Sequence, residues 1–586
     1  MQPKHSWAGC STALAGLLCL SFTLSAAAES TITGRVVDLN GAPLAQAMVS
    51  LDAAESHAGA DVITVFTDEQ GQFVFSESVS GVDSLSVRML DYEELDQVGL
   101  RADGTSDVTI VMRPRTNQAD VAPASAWLGG MNDPEEKAHL VLDCIGCHQV
   151  PSPQARNYAK LIAAVEDADP AEVRRQSWQS MITYMNYLSD WEFGRANPTG
   201  PPGPERAYSV SGGDVTANSI ADHFVGPMDQ LSGYDYGAPS IVNENTVIRE
   251  YEVSGANAIR EAVLIGEELW IADVSSNRMV VIDVATGEQR HLEVPAERTM
   301  GPHTLHRGSD GTLWVAPFFD SVVAHWDPAG ETWETWSTTT INGESVGIHD
   351  LSFGSDHELL TDNEGLVWYS DIVNGAVGYL DPDTGDAEIY YVPDVPGRED
   401  NRATVYGLVM TSDRKEIWYS QMGRGALGSF DIETREFGDL VELPSIDAGP
   451  RRLTISDDDI LYAPLYGAGQ LVEYDTRSRE LIGTYDLPDT GSAPYAATWD
   501  PVREVVWIPT SNGDVIYRFD PRTKAIGVLP LPRDSAFLRM VDVDPETGVL
   551  ITSYANIVQF VHGPRMALII DPGDGAYADV AVGAQR

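Results

Sequence analysis

The run Cys144-Ile145-Gly146-Cys147-His148 sets two thiols three residues apart with an imidazole directly behind them. That spacing lets each cysteine form a thioether to a haem vinyl group while the histidine turns beneath the macrocycle as the proximal iron ligand. A zinc site would require two further ligands, and no second cysteine pair exists. A thioredoxin-type disulfide would sit at a strand–helix junction. Here the motif instead follows Asn132-Asp133-Pro134-Glu135-Glu136, where Asp133 can cap a helix, Pro134 suits its first position and the two glutamates favour its positive end. The chemistry expected is one covalent haem c and one-electron transfer.

The elements around the motif form a small helical unit, residues 117–238. A second helical stretch runs from about Pro170 through Trp178 to Trp191, followed by the Pro/Gly-rich loop 197–204. With its Cys-x-x-Cys-His, this segment resembles class I cytochrome c domains. The resemblance implies a methionine as sixth ligand, one helical stretch after a tryptophan, which makes Met185 the first choice. Met181 lies one turn earlier on the same face and is expected to pack against ring or core; Met228 and His223 stand on a later segment. Met/His ligation favours electron transfer, and an open position would permit ligand binding or oxygen chemistry.

Residues 1–28 carry Lys4 and His5, an apolar run from Thr12 to Leu24 and the small residues Ala26-Ala27-Ala28. This is the plan of a cleaved secretory signal, with an apolar run shorter than the ~20 residues of a membrane span. Its removal also removes Cys10 and Cys19, so no disulfide framework is expected in the periplasmic or secreted protein. Acidic residues number 88 against 37 basic, a net charge of −51. That balance excludes a nucleic-acid partner, which needs a basic footprint, and disfavours anionic lipid.

Residues 29–116 alternate with period two between glycine corners: Thr31-Ile32-Thr33-Gly34-Arg35-Val36-Val37, then Asn40-Gly41-Ala42-Pro43, then Thr67-Asp68-Glu69-Gln70-Gly71-Gln72-Phe73. The alternation predicts a small antiparallel sandwich, and the pattern resembles the carboxypeptidase regulatory-like, transthyretin-like module. The resemblance implies a spacer or contact domain without catalytic residues.

Across residues 239–586 a unit recurs roughly every 44 residues, in the range of propeller blades. Its hallmark is a tryptophan-centred strand around Trp270, Trp314, Trp368, Trp418 and Trp507, with Tyr462 in the equivalent place and a degenerate seventh copy at Gly548–Thr552. Asp-rich turns such as Asp283-Val284-Ala285-Thr286-Gly287 close the units. Seven units predict a closed ring, with Thr246–Val253 as the fourth strand of the last blade, which would remove an exposed edge. The expected fold class is mainly β: sandwich, small helical cytochrome c domain, seven-bladed propeller.

Stepping by the repeat to each innermost strand start gives Arg260, His303, His349, Tyr406, Arg451, Tyr495 and, last, Leu538 or Arg539. These residues form a cationic funnel suited to a small anion within an acidic exterior suited to a basic redox partner protein. The repeat resembles the streptogramin (virginiamycin B) lyase family. That resemblance implies an elimination base at His303 or His349 and a divalent metal held after the tryptophan strand, where Asp273 and Asp371 are the carboxylates. Three functions compete: an electron-transfer oxidoreductase or its haem subunit, a lyase with an accessory haem domain, and a ligand-binding propeller without turnover.

Overall fold

A computed structural model describes residues 32–577 apart from 58, 76–81, 94, 99–105, 147, 164–171, 174, 184, 186–219, 221, 225–227, 297–299, 318–320, 339–346, 400, 402 and 556–564. The signal segment and Cys147 therefore lie outside the described residues.

The architecture is mainly β. Six four-stranded antiparallel sheets follow one another from Ile259 to Pro530, and the seventh blade joins Val541–Val543, Leu550–Ser553 and Met566–Asp571 to Val247–Glu252. Innermost strands of successive blades touch around the whole circle, the seventh blade meeting Ile259–Ile265 of the first. The expected closure is present: Met566 pairs with Glu252 and Asp571 with Val247.

Period-two alternation builds the ring. In the strand Glu268–Asp273, Leu269 and Ile271 face a cluster shared with the N-terminal module, while Trp270 and Ala272 face Leu305, Leu313 and Val315 of the next blade. Each blade thus buries both faces against its neighbours. Two of the indole nitrogens have carboxylate partners: Trp368 donates to Asp362 at 2.8 Å and Trp507 to Asp500 at 3.0 Å. Acidic turns close the outer hairpins, Asp283 Oδ1 accepting from the amides of Ala285 and Thr286, and Asp520 Oδ1 from those of Arg522 and Thr523. Much of the net charge is turn chemistry of this kind.

In the N-terminal module, Ile32–Val37 lies between Gln72–Phe75 and Ser106–Val111, and a second sheet orders Ala60–Phe66, Met48–His57, Val82–Arg88 and Leu95–Val98. The module is more than a spacer. Ala60–Phe66 pairs antiparallel with Val247–Glu252, Val62 opposite Glu250 and Val65 opposite Val247, so one eight-stranded sheet runs from the sandwich through the seventh blade. Beside this seam Gly59 sits on the first blade's closing turn. Gly287 there has φ +72°, and a Cβ on it would meet the Gly59 carbonyl at 2.6 Å.

Between these parts lies the helical segment. Helix α1 (Pro134–Cys144) begins as expected, with Asp133 accepting from the amides of Glu135 and Glu136 at 2.9 and 3.3 Å. Helix α2 (Pro153–Ala163) follows the motif. Leu140, Val141, Ile145 and Trp178 share a core with Tyr406, Tyr466, Tyr495 and Phe537 of the propeller. No described helix is long and apolar enough to cross a membrane.

Candidate functional site

Helix α1 delivers Cys144 and then Ile145, whose amide bonds the Val141 carbonyl at 3.2 Å. Past that point the chain lies across one mouth of the propeller channel. Tyr466 donates its phenol to the Ile145 carbonyl, and Arg539 Nη2 donates to the Gly146 carbonyl, both at 2.5 Å. Gln149 Nε2 reaches Asp514 Oδ1 at 2.7 Å, while Asn512 exchanges hydrogen bonds with the Val150 amide and carbonyl at 2.9 and 3.0 Å. Each protein group here is placed by a loop of the fifth, sixth or seventh blade.

Within the motif, His148 Nδ1 lies 2.6 Å from the Gln149 carbonyl. A carbonyl only accepts, so Nδ1 carries the proton and the Nε2 lone pair is left for a metal. Burial lowers the pKa of this imidazole, opposed in part by that hydrogen bond, and so favours the neutral ligand form. Burial, with Asp143 beside it, pushes the Cys144 thiol up and keeps it protonated, unlike an activated redox thiolate. The free Nε2 of His148 thus has the form a proximal haem ligand needs. Among the sixth-ligand candidates, Met185 is 39% exposed, whereas Met228 is buried and Met181 packs against the same core. His223 is committed through Nε2 to the Trp127 carbonyl at 2.8 Å. Trp178 is buried edge-on to Tyr158.

The residues predicted at the strand starts do converge beneath the motif, and the last-blade position belongs to Arg539. They form a packed, buried cluster instead of an open funnel, with Arg260, His303, His349, Tyr406, Arg451, Tyr495 and Arg539 all buried. A ring of serines places them. Ser370 Oγ donates to the Tyr406 carbonyl and Ser420 Oγ to the Arg451 carbonyl, both at 2.8 Å, and Ser553 Oγ donates to the Arg260 carbonyl at 2.5 Å. Ser370 and Ser420 also accept amides of their own blades' inner strands, from Asp350 and Gly407, each at 3.0 Å. One hydroxyl thereby couples two blades and fixes where the next strand start points.

The side chains then interlock. Tyr406 and Tyr495 share a hydroxyl–hydroxyl bond, and Arg539 Nη1 donates to Tyr495 at 2.5 Å. The Arg451 guanidinium lies 3.5 Å from the Tyr466 ring centroid and 4.7 Å from that of Tyr495. Burial opposes ionisation of Tyr495, but Arg539, Arg451 and Arg452 outweigh it and lower its pKa. Arg452, absent from the sequence-derived set, pairs with Glu261 at 2.5 Å and bonds Thr304 at 2.5 Å. Its signal was the tandem Arg451-Arg452, which puts guanidiniums on both faces of one strand start.

His303 and His349 face each other with ring centroids 4.9 Å apart. His349 Nδ1 donates to the Tyr406 carbonyl at 3.0 Å, leaving Nε2 as a buried lone pair without a hydrogen-bond partner. Burial, followed for His349 by the Arg452 charge and for His303 by His349, holds both pKa values well below the usual histidine range. Among the described residues, neither Asp273 nor Asp371 belongs to a cluster of three groups that could hold a metal. Asp371 accepts from Gly347, Val373 and Asn374, and Asp273 from Ala258, Ser275 and Ser276, so both are spent on the hairpin turn after their own strand and on the loop that enters their blade.

Comparison with known proteins places one segment in a family. Residues 31–113 match the Carboxypeptidase regulatory-like domain. No curated protein matches the chain. Among solved structures, selenomethionine-substituted virginiamycin B lyase from Staphylococcus aureus is similar at 15% identity and a TM-score of 0.45, covering 56% of this chain and 99% of its own. A streptogramin B lyase gives 16% and 0.45, with 56% and 98% covered. The Cps50 (Swd1) β-propeller domain of Myceliophteria thermophila gives 13% and 0.43, with 54% and 97% covered.

Proposed function

We propose that the protein is an exported c-type cytochrome, with haem c carried by Cys144, Cys147 and His148 and with the arginine-rich cluster at the propeller strand starts beneath serving as the site of a small anionic substrate or redox ligand. The observation that supports it most is the His148 bond to Gln149, which leaves Nε2 free to ligate beside a cysteine at the end of a capped helix. Haem c, when bound, supplies one-electron chemistry. The chain's own residues hold it in place: Asp133 starts the helix, Gln149 fixes the imidazole tautomer, and Tyr466 and Arg539 pin the loop to the ring. Met185, clear of the core, is the proposed sixth ligand. Arg260, Arg451, Arg452 and Arg539, gathered in this cluster, favour an anion, and the net charge of −51 favours a basic partner protein outside. Residues 1–28 are the export signal, placing the protein in the periplasm or outside the cell.

Expression with haem-attachment machinery, followed by a pyridine haemochrome spectrum, tests this reading. One covalent haem per chain is expected, lost in a Cys144→Ala, Cys147→Ala variant. A colourless wild-type chain from cells that mature other c-type cytochromes would overturn it.

A second reading rests on His349, whose neutral, unpartnered Nε2 has the form of a general base for an elimination. Linearisation of a streptogramin-type cyclic depsipeptide with Mg²⁺, abolished by His349→Ala, would support it. No product would exclude it, and the commitments of Asp273 and Asp371 count against the metal it would use.

A further inference from the structure

We propose that Glu135, His139 and Asp447 form a divalent transition-metal site that fastens helix α1 to the propeller. Glu135 and His139 are one helical turn apart and share a face of α1. Asp447 comes from the single 3₁₀ turn Ile446–Ala448, between the fourth and fifth blades. One donor atom from each residue lies within 4.8 Å of the other two. Around a tetrahedral ion with bonds near 2.1 Å the donors stand roughly 3–4 Å apart, so modest rotation of side chains closes the set.

The second observation is Asp447 itself. It is 2% exposed, its Oδ2 receives His139 Nε2 at 3.1 Å, and its buried Oδ1 has no hydrogen-bond partner. A buried carboxylate oxygen without a donor is costly, and Glu135 beside it adds a second negative group. A cation answers both, taking the place of the proton between His139 and Asp447. One imidazole with two carboxylates suits Zn²⁺ or Mn²⁺ better than Ca²⁺, which takes six to eight oxygens. Exposed Glu135 leaves one side open to water ligands. The site stands five residues before Cys144 on the same helix, so the ion would set the position of the Cys-x-x-Cys-His loop whether or not haem is attached there.

Mn²⁺ is the probe of choice because thiolates bind it poorly, which keeps Cys144 and Cys147 out of the measurement. The full chain, stripped with chelator and titrated with Mn²⁺, is expected to bind one equivalent by electron paramagnetic resonance and to melt at a higher temperature. Exposed Glu135→Gln, with its fold checked by circular dichroism, and Asp447→Asn should each lose that equivalent and the thermal shift. No stoichiometric binding by wild type, or equal binding by Glu135→Gln and wild type, would overturn the site and leave a plain His139–Asp447 hydrogen bond.

Discussion

Arg539 grips the Tyr495 phenol through Nη1 and the Gly146 carbonyl through Nη2, each at 2.5 Å, so one guanidinium ties the channel lining to the backbone of the Cys-x-x-Cys-His loop. The channel-lining cluster and the loop therefore share a structural fate, and a change in either is felt in the other.

Arg539→Met keeps the aliphatic bulk and removes both bonds. With a charged, buried donor lost, destabilisation of about 2–3 kcal/mol is expected. Hydrogen exchange should speed up in residues 134–150 as well as around Tyr495. Acceleration around Tyr495 alone would show that the loop is held by other contacts.

Ser420→Ala removes a hydroxyl that donates to the Arg451 carbonyl and accepts the Gly407 amide. The blade junction should lose about 1–2 kcal/mol, read by denaturant unfolding. Ser420→Thr should be worse than a simple hydroxyl count suggests, because the strand Glu416–Gln421 is buried from Ile417 onward and has no room for a methyl.

His357 gives the propeller an acid sensitivity of defined sign. Its Nε2 accepts the Trp499 amide at 3.1 Å, and burial, then the His306 charge, lower its pKa from 6.5 to about 3. The unfolded chain takes up this proton below pH 6.5 and the folded one does not. Stability is thus intact above 6.5 and falls on acidification towards 3, with a loss on the order of 5 kcal/mol at the acid end. Unfolding measured between pH 7 and 4.5 should be flatter by up to about 1.4 kcal/mol per pH unit in His357→Gln. Equal slopes would mean that the proton finds another seat.

Gly287→Ala should unseat the sandwich from the first blade. At φ +72° with the Gly59 carbonyl 2.6 Å from the new Cβ, a loss above about 1 kcal/mol is expected, with increased protease access at Gly59. The exposed turn at Gly41, φ +80° with nothing near its Cβ, is the control for backbone strain alone.

The ring was legible because its code is local. Trp270, Trp368, Trp418 and Trp507 mark one strand per blade, Asp-led turns mark the corners, and Thr246–Val253 announced the closing strand. The residues at the strand starts followed from the same period. What the repeat could not convey was how the separate parts meet. That Arg539 and Tyr466 would take carbonyls from Gly146 and Ile145 depends on contacts 393 and 321 residues apart in the chain, and backbone acceptors carry no sequence signature. Edge pairing of Ala60–Phe66 with Val247–Glu252 was hidden for the same reason, since any alternating strand can pair with any other. Glu135 and His139 did leave a trace in their four-residue spacing, but the third member arrives from a turn over 300 residues later.

The shared eight-stranded sheet also dictates an order of assembly. Val247–Glu252 receives one edge from Ala60–Phe66, already made, and offers the other to Met566–Asp571, which is synthesised more than 300 residues afterwards. A chain emerging N-terminus first can fold its sandwich early and hold the closing strand in register while six blades accumulate. The slow, long-range step of sealing a circle becomes the addition of one strand to a template that has been waiting, and the aggregation hazard of an unpaired edge is confined to the last stretch of synthesis.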